Sequence, residues 1–291
     1  MRIPGWMWAL AILPLPLQAA NLATVEAVQS PAWLERAGHV EPLAPGLPIR
    51  DGDSLRTGEG ARLTLRLAEG STVKLGENAG LALHGQGPRP ERSFKGAMEV
   101  LRGAFRFTTE AVRRLRGDRE LAIRVGTATV GIRGTDVWGK SGDEKDLVCL
   151  IEGSIQISHA ALGGGPLAMR DANTFFVAPK GAAPLPVGPV DPNQLRQWAR
   201  ETEILPADGA LRRGGRWSVQ LGSDATSEAA ALMLHDQARQ AGFATRIRPF
   251  AAADGTWNYR VSLPGIPSEA DAAALAARIR ATLDVEATPR K

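Results

Sequence analysis

The residues best suited to binding chemistry recur at every second position near the C-terminus. Ser218 and Gln220 form one pair, Arg246 and Arg248 a second, and Asn258, Arg260 and Ser262 a triplet. Alternate positions on an extended chain share one face. Side-chain amides donate and accept at once, which matches sugar hydroxyls and N-acetyl groups. Arginine adds a two-pronged fork for carboxylates. The set suits a polyhydroxylated, partly anionic polymer. Trp257 offers either a ring to stack on a sugar or a core side chain, since its parity is that of Tyr259 and Val261.

Strands and helices must hold these residues in place. The intervening positions are apolar: Trp217, Val219 and Leu221 in the first run, Phe243 and Ile247 in the second, Tyr259, Val261 and Leu263 in the third. Each strand therefore has one side for a core and one for water, which puts Gln220 outside the core. Between about 226 and 241, Ala230, Met233, Leu234 and Ala238 recur at helical spacing, and Gly242 is a stop signal. Between 268 and about 282, Ala272, Leu275, Ala276 and Ile279 repeat the pattern after a Ser268 cap. The order is strand, helix, strand, strand, helix, strand. Two helices on one side of a four-stranded antiparallel sheet would leave the polar face open.

Residues 21–178 read differently. The run 62–67 alternates polar and apolar residues, and short strands of the same kind follow at 104–107, 121–125, 129–132 and 154–157, separated by glycines. This indicates an all-β sandwich, roll or short solenoid. From 179 to 213, Pro179, Pro184, Pro186, Pro189 and Pro192 favour a semi-stiff linker. A short helix is expected from Pro192 with Asp191 as its cap, and its Leu195, Trp198 and Ala199 face is expected to dock on the β-domain.

The 291 residues carry a net charge of +4, a weak signal for nucleic acid and compatible with any anionic partner. Residues 1–20 combine Arg2, an apolar stretch and a small-residue end, the pattern of an export signal. The stretch is too short and too proline-broken for a confident membrane span. Cys149 is the single cysteine, so no internal disulfide forms, and its apolar neighbours imply a structural thiol. His39, His84, His159 and His235 stand apart, without metal-ligand spacing. Gly85-Gln86-Gly87 lacks the setting of a dinucleotide loop. No metal or cofactor is expected. The basic run Arg113, Arg114, Arg116 and Arg119 is expected to be a solvated hairpin tip.

Two families share these patterns. Asp51-Gly52-Asp53-Ser54-Leu55-Arg56-Thr57-Gly58, Leu67-Ala68-Glu69-Gly70-Ser71, Val130-Gly131-Ile132-Arg133-Gly134-Thr135 and the 148–157 run with Glu152-Gly153 resemble, in order, the motifs of FecR-like domains. The iron-signalling members have a cytoplasmic sigma-factor-binding segment and a membrane span before this part; here only an export signal stands there, so that role does not carry over. Val219-Gln220-Leu221-Gly222-Ser223 and Asn258-Tyr259-Arg260-Val261-Ser262-Leu263 resemble the first and third strands of SPOR domains. Leu263-Pro264-Gly265-Ile266 departs from that family's turn.

The SPOR resemblance implies a ferredoxin-like βαββαβ fold. It also implies binding to peptidoglycan glycan strands stripped of stem peptides, often at the division septum. Gln220 and Ser223 would contribute to the glycan face, with Ser218, Asn258, Arg260, Ser262, Arg246 and Trp257 around them. The expected organisation is multidomain: export signal 1–20, FecR-like all-β domain 21–178, linker 179–213 and α+β SPOR domain 214–291. The expected product is a non-enzymatic periplasmic peptidoglycan-binding protein, enriched at the septum, whose FecR-like domain is a scaffold or binds an envelope protein partner. The alternative is an envelope sensor whose FecR-like domain receives a signal and whose SPOR module only localises it. A wall-modifying enzyme is disfavoured because no catalytic residues cluster. Neither a nucleic-acid partner nor a membrane span after signal cleavage is expected.

Overall fold

The computed structural model of the protein describes residues 21–86, 94–109 and 119–291. The export segment and Arg113, Arg114 and Arg116 of the basic run lie outside the described residues. The N-terminal region is mostly β and the C-terminal region mixes strands with helices.

The alternating 62–67 run forms the strand Arg62–Leu67, with Leu63, Leu65 and Leu67 buried. It pairs antiparallel with Ala23–Gln29 on one side and Thr72–Leu75 on the other. Thr72–Leu75 leads to Phe94–Thr108, which pairs in parallel with Arg119–Val125 and antiparallel with Ala128–Ser141. Lys145–Ser158 and Thr174–Pro179 extend the sheet beyond Ala128–Ser141. Phe105, Phe107, Val73, Leu75, Val137 and Val148 meet in its core.

Asp53, Thr57 and Asp136, in or next to the FecR-like motifs, have structural roles. Asp53 is buried and takes two charge-assisted bonds from Arg36, at 2.8 and 2.6 Å, and one from the Arg50 amide. The Thr57 hydroxyl donates to the Gly76 carbonyl and accepts from the Ala79 amide. Arg106 grips Asp136 through two bonds. Gly153 has a left-handed backbone, and a Cβ there would sit 2.3 Å from the Gly134 carbonyl oxygen. The closing hairpin thus needs glycine for both conformation and space.

Asp146 is the polar hub of this domain. It is fully buried, accepts from Lys180 Nζ at 2.8 and 2.7 Å, from the Thr127 amide and hydroxyl, and from the Ser141 hydroxyl. Burial opposes its charge, but these donors together hold its carboxyl below the usual carboxylate range.

The proline-rich segment is tied down along its length. Gly188–Pro189 pairs with Thr174–Pro179, and Leu211–Arg212 pairs with Ala23–Gln29. Between them lies α1 (Pro192–Thr202), with Pro192 at its start and Asp191 accepting from the Asn193 and Gln194 amides. Trp198 stacks on the buried Trp138 at 4.7 Å and 4°, and Phe175 meets it edge-on. Lys74 pairs with Glu203 at 2.7 Å and Lys140 with Glu201 at 2.9 Å. Trp138 and Cys149 share the small apolar cluster against which Trp198 packs. Burial pushes the Cys149 thiol up to about 12, which removes it as a nucleophile.

The C-terminal module has four strands, in sheet order Arg246–Ala251, Trp257–Ile266, Trp217–Ala225, Ala287–Arg290, all antiparallel. With α2 (Glu228–Gln240) and α3 (Glu269–Leu283) the chain order is βαββαβ. Ser227 and Ser268 cap the two helices. In α3, Ala272, Leu275, Ala276 and Ile279 are buried as expected. The buried stripe of α2 is Ala231 and Ala238 with Leu234 at its edge, whereas Ala230 and Met233 of the expected stripe are exposed, Met233 at 75%. Ala231 and Ala238 lie two turns apart, and their small side chains let the helix backbone settle close to the sheet.

The second strand also starts later than the 243–248 alternation suggests. The Phe243 amide donates to the Ala238 carbonyl and the Gly242 amide to that of Arg239. This is the Schellman closure of a helix end, with Gly242 left-handed. Phe243 is therefore a buried helix-end contact rather than a strand residue.

The helix side of the module meets the N-terminal region. Trp33 Nε1 donates to the Gln240 carbonyl, the Ala32 amide to that of Gly242, and Arg278 to the carbonyls of Ser30 and Gly60 at 2.6 and 3.0 Å.

Replacing Asp146 by alanine strands Lys180, Thr127 and Ser141 and is expected to lower stability by about 2–4 kcal/mol, measured by chemical denaturation. Its depressed folded pKa means that its contribution is present above the unfolded value of about 4 and lost as pH falls through the folded one. The parent should therefore lose stability on acidification below about pH 4 more steeply than Asp146→Ala does.

Candidate functional face

The free face of the module is built row by row from the strand register. Arg246 pairs with Ser262, Ser262 with Gln220, and Gln220 with Thr288, so one row crosses all four strands. Arg248 lies opposite Arg260, and Phe250 opposite Asn258. Ser218 lies between Pro264 and Arg290. The strand parity expected for Ser218, Gln220, Arg246, Arg248, Asn258, Arg260 and Ser262 thus brings these seven to one face. Val219, Leu221, Val261 and Leu263 are buried on the other.

Four further residues join the face. Phe250 continues the Arg246, Arg248 series beyond Pro249. That proline sits in an edge strand, where a missing amide is tolerated. The fourth strand, Ala287–Arg290, places Thr288 and Arg290 beside the first. Asp224 enters because the first strand runs on to Ala225 through an irregularity after Leu221. A period-2 count carried past Pro249 finds Phe250; the irregularity near Asp224 has no such signature.

These additions change the chemistry of the centre. Asp224 receives both prongs of Arg260, at 2.8 and 2.7 Å, and the Gln220 amide at 3.1 Å. Arg290 Nε donates to Gln220 Oε1 at 3.3 Å. The Arg260 guanidinium holds the Asp224 carboxyl below its usual range, and Asp224 raises Arg260 in return. Arg260 also lies 5.0 Å over the Phe250 ring. Its fork is therefore already occupied, while Arg246, Arg248 and Arg290 are exposed at the rim.

Gln220 sits on the free face as expected, yet it is only 5% exposed. The Asp224, Arg260 and Arg290 side chains bond over and around it, so it belongs to the module's packed polar layer rather than to open surface. Ser223 is exposed beside Gly222, and Asn258, Ser262 and Ser218 are half-buried. Trp257 is 60% exposed. It pairs with Ala251 beside the 252–256 turn that closes the hairpin, and at this exposure the core alternative fails. His235 is half-buried, with Nδ1 2.7 Å from the Thr245 hydroxyl, and burial lowers its pKa. Among the described residues, no three of His, Cys, Asp or Glu gather as a metal site, and no helix is long and apolar enough to cross a membrane.

Replacing Gln220 by alanine removes partners of Asp224 and Arg290 together. It is expected to cost about 1–2 kcal/mol and to lower the melting temperature, whereas Arg248→Ala at the exposed rim should leave it within about 1 °C. Thermal denaturation followed by circular dichroism distinguishes the two.

Comparison with known proteins agrees with this division of the chain. Residues 53–156 match the family model described as FecR protein, and residues 214–287 match that of the SPOR domain. Two solved structures are also similar. Both are described as a "putative anti-sigma factor" from Parabacteroides distasonis ATCC 8503. One is 13% identical with a TM-score of 0.40, covering 81% of this chain and 98% of that one. The other is 14% identical with a TM-score of 0.40, covering 79% and 91%. No curated protein matches.

Proposed function

We propose that this chain, which joins a FecR domain to a SPOR domain, is a non-enzymatic periplasmic protein that binds peptidoglycan glycan strands through the free sheet face. The FecR domain serves as a scaffold or as the binding unit for an envelope protein partner. The observation that carries this reading is the orientation of the module. Its helices and strand ends meet the N-terminal region, so docking leaves the free face available to a polymer.

The face combines the groups such a ligand requires. Asn258, Ser262, Ser218 and Thr288 supply hydroxyls and amides for sugar substituents, and Ser223 is exposed in the adjoining irregularity. Phe250 supplies an apolar ring at the rim. Arg246, Arg248 and Arg290 outnumber Asp224 and favour the lactyl carboxylates exposed when stem peptides are removed. Gln220 and Arg260 act by holding the face in shape. Enrichment at the division septum follows if stem-free strands are concentrated there.

One observation favours the sensor alternative as a second reading. A cavity of about 400 Å³ lies beside Trp33, Arg56 and Leu101, and Arg56 covers the Trp33 ring at 4.0 Å. Trp33 also bonds to the end of α2, so a ligand in this cavity would act on the docking contact.

The glycan reading is tested by co-sedimentation with sacculi before and after amidase treatment. Binding should rise after treatment, and Arg248→Ala with Phe250→Ala should weaken it about tenfold. Equal binding to treated and untreated sacculi would refute the preference for stem-free strands. A fluorescent fusion exported to the periplasm should concentrate at midcell; a uniform peripheral signal would remove the septal assignment.

A further inference from the structure

A polar cleft of about 310 Å³ opens where the module joins the N-terminal region. Arg246 and Pro264 of the module line it together with Ala44, Pro45, Arg212 and Arg213. A second hollow, of about 520 Å³, is lined by Thr24, Glu26 and Arg66 together with the same Arg212 and Arg213. The two hollows share this arginine pair as lining. Together they mark a trough from the end of the free face, past the edge strand Leu211–Arg212, to the neighbouring strand Ala23–Gln29.

Strand pairing places the main chain at Arg212, and the Arg213 side chain is also fixed. Leu211 and Arg212 pair with Val28 and Ala27, which buries Leu211 and turns Arg212 outward. The Arg213 guanidinium donates to the Gly46 carbonyl. Gly46 is left-handed, and a Cβ there would lie 2.6 Å from that guanidinium, so glycine makes room for the arginine. Glu26 is the acidic side chain lining the trough, and Arg66 lies 3.5 Å from it. Arg212, Arg213 and Arg246 thus leave the trough cationic, and fixing the Arg213 guanidinium reduces the ordering cost of binding an anion.

We infer that this trough is a second subsite for the carboxylates of the same glycan strand. This rests on the glycan reading given above. A strand lying along the face leaves it at Arg246 and Pro264, and the next surface it meets is the trough. A polymer with a carboxylate on every other sugar can occupy both sites at once, and the second contact adds to the first as an intramolecular event. The N-terminal region then contributes to binding and fixes the direction in which the strand leaves the module.

The test compares full-length variants on amidase-treated sacculi. Arg212→Gln with Arg213→Gln should bind about three- to tenfold more weakly at low salt and approach the parent at high salt. After the sacculus carboxyls are reduced to alcohols, parent and double variant should bind alike. Parent-like binding by the double variant, with Arg248→Ala and Phe250→Ala weakened, would overturn the trough and leave the sheet-face reading intact. A parent that does not bind treated sacculi would overturn both. A deficit that persists on reduced sacculi would overturn the carboxylate assignment. Should the double variant melt early, Arg212→Gln alone, at an exposed position, gives the same comparison.

Discussion

A sheet with helices on only one side cannot bury both of its faces, and this constraint governs the C-terminal module. Val219, Leu221, Val261 and Leu263 go to the helices, so their neighbours must go to water. The polar face is therefore obligatory; its composition is not. A face needed only for solubility would be satisfied by scattered charges of both signs. This one gathers Arg246, Arg248, Arg260 and Arg290 around one carboxylate, Asp224, with hydroxyls and amides between them. The same constraint determines docking. With one side of the sheet left free, the contact with the N-terminal region falls to the helices and strand ends, and the bonds from Trp33, Ala32 and Arg278 make it.

The proline-rich segment converts that contact into a fixed arrangement. A free linker of this length would let the module tumble. Here α1 is held to the β-domain by the Trp198–Trp138 stack and by Lys74 and Lys140, and Leu211–Arg212 becomes an edge strand immediately before the module begins. Only a few residues separate that strand from Trp217. Little slack remains, so the free face keeps a constant direction relative to the β-domain. The prolines contribute by lowering the entropy of the unfolded segment and by starting α1 at Pro192.

Much of this was legible in the sequence because the relevant signals are local. Period-2 alternation assigned faces to seven polar residues, and helical spacing identified the buried stripe of α3. The failures are also physical. Strand length is set by pairing partners, so Phe250 was hidden behind a proline that matters only in a central strand. Helix rotation in α2 is set by close approach of Ala231 and Ala238, which overrides the larger but misplaced Met233. Burial of Gln220 depends on side chains from three strands converging over it, one of them in the unassigned fourth strand. Parity told which side Gln220 faces; it could not tell what would cover it.

The acidic residue at the centre of a basic face has a role that net charge alone obscures. Without Asp224, Arg260 would lie directly opposite Arg248 with no counter-charge, and like charges there repel. Both prongs of Arg260 are instead directed to Asp224, and the amide of Gln220 reaches the same carboxylate. The central charges are thereby matched and fixed, and the unmatched ones are displaced to the rim at Arg246, Arg248 and Arg290. A rigid, nearly neutral centre suits the uncharged body of a sugar ring, and a cationic rim suits carboxylates that project from it. The two chemistries of an acidic glycan are thus met at different places on the face, and the position of Asp224 separates them.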